Sequence, residues 1–159
     1  MALDVARSLT ICDKVITESQ SIQGKTGLTY TAERVYSFGY TDGELATLRV
    51  VARPYDMDRD AESKQTEEHD HEIQLAVIKR VTRKNVTEID QYFNLLVELA
   101  ALFTLERVIE LSDGGKVQVV SNRFFPLYTR SSEIMDTATS AQTTFFGSAL
   151  LTFKEWVDE

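Results

Sequence analysis

The sequence predicts an α+β fold: a mainly antiparallel sheet with two helices packed on one face and a long acidic loop between strands. Two stretches, residues 3–18 and 87–104, have the apolar spacing of amphipathic helices. The other apolar stretches alternate as strands do, and they are not regularly separated by helices, which favours an antiparallel sheet. No repeat or linker divides the 159 residues, so one domain, 1–159, is expected.

The first helix is predicted by four apolar residues whose spacing places them on one face: Val5, Leu9, Cys12 and Ile16. Strands are predicted over 30–38 and 45–53, on either side of Tyr40–Gly43. The Asp-Gly pair in that turn supplies the backbone freedom of a hairpin connection. We therefore expect these two strands to pair as a hairpin, which ends at Pro54 because proline has no amide proton to donate.

Residues 56–72 form the most polar stretch of the chain, with eight acids against two bases. Such a stretch buries too little apolar surface to order itself, so a mobile loop is expected at 56–72. A strand over 73–81 follows the loop, with Ile73, Leu75 and Val77 directed inward.

The second helix is predicted to open at Thr87–Asp90, which resembles a capping box, and to run to about residue 104. Its apolar residues are so numerous that we expect the helix to be covered on more than one side. A hairpin is predicted around Ser112–Gly115, and a long final strand over 143–157. Phe146 and Leu150 break the alternation of that strand, which indicates that both of its faces are covered.

Composition excludes some classes of function. The formal net charge of −8 repels a phosphate backbone, so broad nucleic-acid binding is not expected. Cys12 is the only cysteine, so no intrachain disulfide can form, and its apolar surroundings predict a small buried side chain. No signal peptide is visible and no apolar run approaches the length of a membrane span, so a soluble protein is expected.

The stretch "TEEHDHEIQLAVIKRV", residues 66–81, poses the main chemical question. His69 and His71 lie at i, i+2 and could share one face of a strand to hold zinc or nickel with a carboxylate. The polar surroundings offer no obvious second shell, so the solvated end of a loop is the preferred interpretation, with a pH-sensitive contact as a further alternative. No phosphate-binding glycine spacing or nucleophile elbow is present. We therefore expect no enzyme, and no catalytic, metal or cofactor site.

The order of elements resembles that of the tail-terminator and related neck proteins of long-tailed bacteriophages. The matching pieces are "LDVARSLTICDKVI", "LATLRVVARPYDMDRD", the loop to Glu72, "EIQLAVIKRV", "TEIDQYFNLLVELAALF" and "TTFFGSALLTFKEW". The resemblance implies a structural virion protein that forms hexameric rings, terminates the tail tube and joins it to the head. It implies no catalysis and no cofactor. Its partners would be further copies of itself, the tail-tube protein and a head-closure or adaptor protein.

The resemblance also implies a location in the virion tail or neck, reached after assembly in the host cytoplasm. DNA would pass through the ring without specific binding, and no membrane would be involved. The acidic loop would project toward the lumen or a neighbouring ring, where its acids would repel passing DNA. The acids that we select as interface candidates are Asp56, Asp58, Asp60 and Glu62.

Basic and aromatic residues complete the candidate interface. Arg49 and Arg53 lie on the outer face of the second strand, and the other candidates near the far end of the loop are Arg80, Arg83 and Lys84. For each of these cations a solvated charge is the alternative. Trp156 is either a cover over the core or an interface anchor. Two other functions stay open: a cytoplasmic binding or regulatory domain that uses loop 56–72, and a small metal-dependent hydrolase that uses His69 and His71.

Overall fold

The computed structural model describes residues 5–36, 38–41, 43–55, 68–82, 86–112, 114–125, 128–131 and 142–156. Its helices are α1 (Val5–Ser21), the short α2 (Gln23–Thr26) and α3 (Val86–Ala101), and a 3₁₀ turn spans Glu44–Ala46. The strands are β1 (Thr31–Arg34), β2 (Arg49–Pro54), β3 (Glu68–Thr82), β4 (Val108–Glu110), β5 (Lys116–Phe124), β6 (Tyr128–Ser131) and β7 (Gln142–Trp156).

The described strands form one sheet in the order β1-β2-β3-β7-β5-β4, and β6 pairs with the first part of β7. Every pairing is antiparallel except that of β1 with β2. At its centre β3 and β7 pair along their whole length, from Glu68 opposite Trp156 to Thr82 opposite Gln142. The fold is therefore α+β with a mainly antiparallel sheet, as the sequence predicted.

One face of the sheet, which we call the helix face, carries both long helices. α1 presents Ile11, Cys12 and Val15 to it, and α3 presents Leu95 and Leu99. These side chains pack against inward residues of β2, β3 and β7 in one apolar cluster. The burial of Cys12 confirms its interpretation as a small core side chain. At the end of α3, the Asn122 Nδ2 atom donates hydrogen bonds to the carbonyls of Ala100 at 2.8 Å and Phe103 at 2.9 Å.

The predicted hairpin of 30–38 with 45–53 is wrong. β1 runs parallel to β2, with Thr31 opposite Arg49 and Arg34 opposite Ala52. A parallel pair needs a connection that crosses back, and the chain after β1 makes this crossing over the opposite side of the sheet, the second face. There it covers Val51, Ala76 and Ile78 with four residues: Val35, Phe38, Tyr40 and Leu45. Phe146 joins this second cluster and Leu150 is buried, so the expected cover on both faces of the final strand is confirmed.

The C-terminal end of the predicted loop 56–72 is also wrong. Residues 68–72 belong to β3, where they pair with 152–156 of β7. Their charged side chains do not prevent strand pairing, because the partner strand supplies backbone hydrogen bonds all along this stretch. The rest of the predicted loop, 56–67, lies outside the described residues, and with it Asp56, Asp58, Asp60 and Glu62.

Candidate interaction surfaces

The cations chosen from the sequence gather on the second face. Arg49 and Arg53 lie on β2 and Arg80 lies on β3, all directed to the side opposite α1 and α3 by the register of the two strands. Arg83 and Lys84 lie outside the described residues. For Trp156 the structure describes the backbone only, as the last residue of β7, so neither interpretation of its side chain is tested.

Arg53 is held between two aromatic rings. The guanidinium carbon lies 4.9 Å from the ring centroid of Phe38 and 5.5 Å from that of Tyr55. Its Nε atom donates to the Oε1 atom of Gln74 at 2.9 Å. The alternative of a solvated charge is therefore wrong for Arg53, which is half-buried and fixed in position. Within the described part of the chain no carboxylate pairs with it, so its charge has no matching anion there.

A short row of hydrogen-bonded polar side chains continues from Arg53 across the second face. The Gln74 Nε2 atom donates to the Ser148 Oγ atom at 3.1 Å, and both of these side chains are buried. The row thus links β2, β3 and β7 through Arg53, Gln74 and Ser148. Buried polar groups of this kind stabilise the native state only while each has a partner.

We expect Gln74→Leu to destabilise the protein by about 2 kcal/mol, because it removes partners of both Ser148 and the Arg53 Nε atom. Adding Ser148→Ala should recover part of the loss, since the buried hydroxyl is then gone as well. Urea unfolding of the single and double variants measures this difference. A double variant that is less stable than Gln74→Leu alone would argue against the row as described.

Arg49 differs from Arg53 because its charge is already matched within the chain. Its Nη1 atom lies 3.3 Å from the Glu33 carboxylate, its Nε atom donates to the Glu44 carbonyl at 2.9 Å, and its guanidinium covers the Tyr40 ring. These contacts tie β2 to the crossover that follows β1. Arg49 therefore fixes the fold of the second face, and the interpretation of it as a solvated charge is wrong as well.

The register of the sheet places a further arginine level with Arg53. Arg53 pairs with Gln74, Gln74 with Leu150, and Leu150 with Arg123 on β5. Arg123 is exposed, and the two arginines lie three strands apart, about 14 Å. Between them the rings of Tyr55 and Phe125 meet with their centroids 5.6 Å apart. We call these five residues the arginine–aromatic surface: Phe38, Arg53, Tyr55, Arg123 and Phe125.

A second exposed patch lies on the opposite side of the molecule, on α3. Val86, Asp90, Phe93 and Val97 recur at i, i+4, i+7 and i+11, so they share one face of the helix. That face is turned away from the core, and the exposed fractions are 65% for Val86, 37% for Phe93 and 42% for Val97. The expectation that α3 is covered on more than one side is therefore wrong for the described structure. We call these four residues the α3 stripe.

His71 is the residue whose sequence-based interpretation differs most from the structure. It lies on β3 with 1% of its surface exposed, so its interpretation as the solvated end of a loop is wrong. Its Nδ1 atom is hydrogen-bonded to the Ser8 Oγ atom of α1 at 2.9 Å, and its Nε2 atom lies 3.4 Å from the Glu155 Oε1 atom of β7. The other oxygen of Glu155 pairs with the Arg7 Nε atom at 2.9 Å. This buried polar cluster joins α1 to the far end of the β3–β7 pair.

Serine, histidine and an acid in contact suggest a nucleophilic triad, but burial argues against that role here. Ser8 is 1% exposed on the side of α1 that faces the sheet, so no substrate carbonyl reaches its hydroxyl in this structure. The buried polar cluster is a structural connection between a helix and the sheet. Among the described residues, no three histidine, cysteine or acidic side chains lie close enough together to hold a metal ion.

Three tyrosines titrate above the usual range. Burial raises the pKa of Tyr92 to about 12, and the carboxylate of Glu88 adds to the shift. Burial also raises the pKa of Tyr30, with a contribution from Glu98, and the pKa of Tyr40, with a contribution from Glu33. A raised pKa in the folded state favours the neutral phenol. Its contribution to stability is complete below pH 10 and disappears as the pH rises through the folded-state value.

We therefore expect the free energy of unfolding to fall between about pH 10 and about pH 12. Tyr92→Phe should reduce that decline, because the group that titrates in the window is removed. Urea unfolding at a series of alkaline pH values measures it. Tyr36→Phe, at an exposed position, is the matched control and should leave the decline unchanged. Identical pH profiles for wild type and Tyr92→Phe would contradict the assignment.

Comparison with known proteins gives likeness of fold only. No family model matches the chain, and the search of curated proteins finds no match. One solved structure, whose name states no function, aligns with 99% of this chain and 99% of its own, with a TM-score of 0.51 and 14% identity. A chain from the virion of a native gene transfer agent particle covers 99% of this chain and 100% of its own, with a TM-score of 0.49 and 14% identity. The first likeness shows a shared fold, and no functional conclusion rests on either.

No helix in the described ranges is both long and apolar enough to cross a membrane.

Proposed function

We propose that this chain is a structural virion protein of a phage tail or neck, which assembles as a ring, terminates the tail tube and joins it to the head. The observation that carries the proposal is the order of elements on which the resemblance rests: a first helix, a sheet, a second helix and a long closing strand. The structure has these elements in that order, with α1 and α3 on one face of the sheet. The hairpin that was expected after the first helix is replaced by a parallel pair.

The distribution of polar groups supports a role through contacts. The serine–histidine–glutamate contact is buried and ties a helix to the sheet, while exposed apolar and aromatic side chains lie on two opposite sides of the chain. Exposed apolar patches of this kind are typical of surfaces that bind other chains. A ring of identical subunits covers such patches without leaving free ends.

The charge balance fits passage of DNA through a ring. With a formal net charge of −8, a wall of such subunits repels the phosphate backbone at distances within the screening length. The proposed partners are further copies of the chain, the tail-tube protein and a head-closure or adaptor protein. The acids of 56–67 remain candidates for the lumen or a neighbouring ring.

The proposal is tested by adding the purified protein to headless tail tubes and imaging them by negative-stain electron microscopy. We expect an added ring at one end of each tube, and a halt in further growth when tube protein is supplied. Bovine serum albumin at the same concentration is the control for nonspecific decoration. Tubes that carry no added ring and keep growing in the presence of the protein would contradict the proposed function.

A further inference from the structure

We propose that copies of this chain associate head to tail, with the α3 stripe of one copy on the arginine–aromatic surface of the next and Asp90 paired with Arg53. This inference rests on the proposed ring function and deepens it by naming the two surfaces that meet. The partner is a second copy of the chain, so both surfaces are present on every subunit.

The arginine–aromatic surface offers a positioned cation between a half-buried ring, that of Phe38, and an exposed one, that of Tyr55. Arg53 is fixed by Gln74 and by the rings of Phe38 and Tyr55, so little side-chain freedom is lost when a carboxylate binds. Tyr55 is 42% exposed and provides apolar area next to the guanidinium. Arg123, at the other end of the same row, is exposed and has no carboxylate partner among the described residues. The surface therefore fits an apolar patch that carries a negative charge.

The α3 stripe has those properties. Val86, Phe93 and Val97 are exposed, and Asp90 stands among them on the same helix face, one turn from Val86 and from Phe93. Asp90 is itself exposed, and no cation within the described residues pairs with it. The stripe thus combines apolar area with a single carboxylate, and the opposite charge on Arg53 sets the orientation in which the two surfaces meet.

The two surfaces lie on opposite sides of the sheet. α3 packs on the helix face of β3 and β7, whereas Arg53, Gln74 and Arg123 lie in a row on the second face. Contacts between two different surfaces are heterologous. They generate a closed ring when the rotations from each copy to the next add up to one full turn. An isologous dimer would instead place the same surface of both copies in the contact. The positions of the two surfaces favour the heterologous arrangement.

Two variants, each blocked on one surface, test the proposal. Asp90→Arg/Val97→Arg blocks the α3 stripe by placing positive charge opposite Arg53. Arg53→Met/Tyr55→Ser blocks the arginine–aromatic surface, and the methionine keeps apolar volume between the flanking side chains. Each variant alone should be monomeric, with association weakened at least about 30-fold, because each lacks one partner of a desolvated charge pair. An equimolar mixture should form a one-to-one dimer and nothing larger, since one intact surface of each kind remains.

Native mass spectrometry of each variant and of the mixture measures this, with circular dichroism to confirm folding. If Arg53→Met/Tyr55→Ser does not fold, Arg53→Gln/Tyr55→Ser takes its place, because it also removes the charge but keeps an amide donor near Gln74. The matched control is Glu110→Arg/Lys116→Met, at exposed positions paired across β4 and β5, which should assemble as wild type does.

Wild-type assembly together with unchanged assembly of the blocked variants would overturn the inference and leave the ring function standing. Monomeric variants whose mixture gives no dimer would also overturn it, because that result indicates an isologous contact or another occupant of Arg53. A wild type that stays monomeric would overturn both the inference and ring formation.

Discussion

Glu155→Ala is expected to lower the free energy of unfolding by about 3 kcal/mol, because it removes the shared anion of the buried polar cluster. The Glu155 carboxylate forms an ion pair with the Arg7 Nε atom of α1 at 2.9 Å, and it lies 3.4 Å from the Nε2 atom of His71. Both groups stay largely shielded from water after the substitution, so their desolvation is no longer offset by this carboxylate. Urea unfolding at neutral pH, followed by circular dichroism, measures the change.

An exposed ion pair elsewhere on α1 provides the matched control. Asp13 pairs with Arg34 at 3.2 Å, and the side chain of Asp13 is 63% exposed. Asp13→Ala should therefore cost no more than about 1 kcal/mol, since water replaces the lost partner. Glu155→Gln should fall between the two, because the amide keeps the shape and an acceptor oxygen. Equal losses for Glu155→Ala and Asp13→Ala would show that the buried cluster contributes no more than a surface pair.

Phe153→Ala is expected to cost about 3–5 kcal/mol, the range for removing a large side chain from a close-packed core. Phe153 lies on β7 with no exposed surface, and its ring meets that of Phe103 edge to face at a centroid distance of 6.1 Å. Val119 of β5 is its register partner, so the cavity would open beneath the end of α3. Thermal and urea unfolding measure the loss.

Phe124→Ala is the control for this substitution. Phe124 lies on β5, pairs with Ala149 of β7 and is 50% exposed, so its truncation removes about half as much buried area and leaves no closed cavity. We expect a smaller loss, of about 1–2 kcal/mol. If the two phenylalanine variants lost the same stability, the apolar core would not be centred where the structure places it.

Local periodicity was sufficient to predict the long elements. The spacing of apolar residues predicted α1 and α3, the alternation over 143–157 predicted β7, and Ser112–Gly115 predicted the β4–β5 hairpin. Each of these signals lies within one element or one turn, where residues interact with near neighbours in the sequence. The observed bounds differ from the predicted ones by a few residues at the ends, where helices and strands have the weakest signal.

The predictions that were wrong concern features that depend on contacts between residues distant in sequence. The turn at Tyr40–Gly43 indicated a hairpin. In the structure four residues that follow β1 pack on Val51 and Ile78 of the second face, and this tertiary packing decides in favour of a parallel pair: Val35, Phe38, Tyr40 and Leu45. His71 is buried because Ser8 and Glu155, which are far from it in sequence, surround it. Nothing within the run 67–72 signals either partner.

The candidate surfaces were predicted in part. Alternation along β2 placed Arg49 and Arg53 on one face, as observed. The aromatic residues beside Arg53 were missed, because Phe38 and Tyr55 come from segments on either side of β2 and Phe125 follows β5. The exposure of Phe93 and Val97 in the α3 stripe was missed, since an apolar side chain shows by itself only that it can be buried and not that this chain covers it.

The mass of the wild-type particle in solution tests most directly whether this chain acts by joining copies of itself. Native mass spectrometry across a series of protein concentrations provides that mass. We expect one discrete assembly whose mass is a whole multiple of the protomer mass. Its abundance should increase with concentration, and no open-ended series of larger masses should appear. A single protomer mass at every concentration would contradict it.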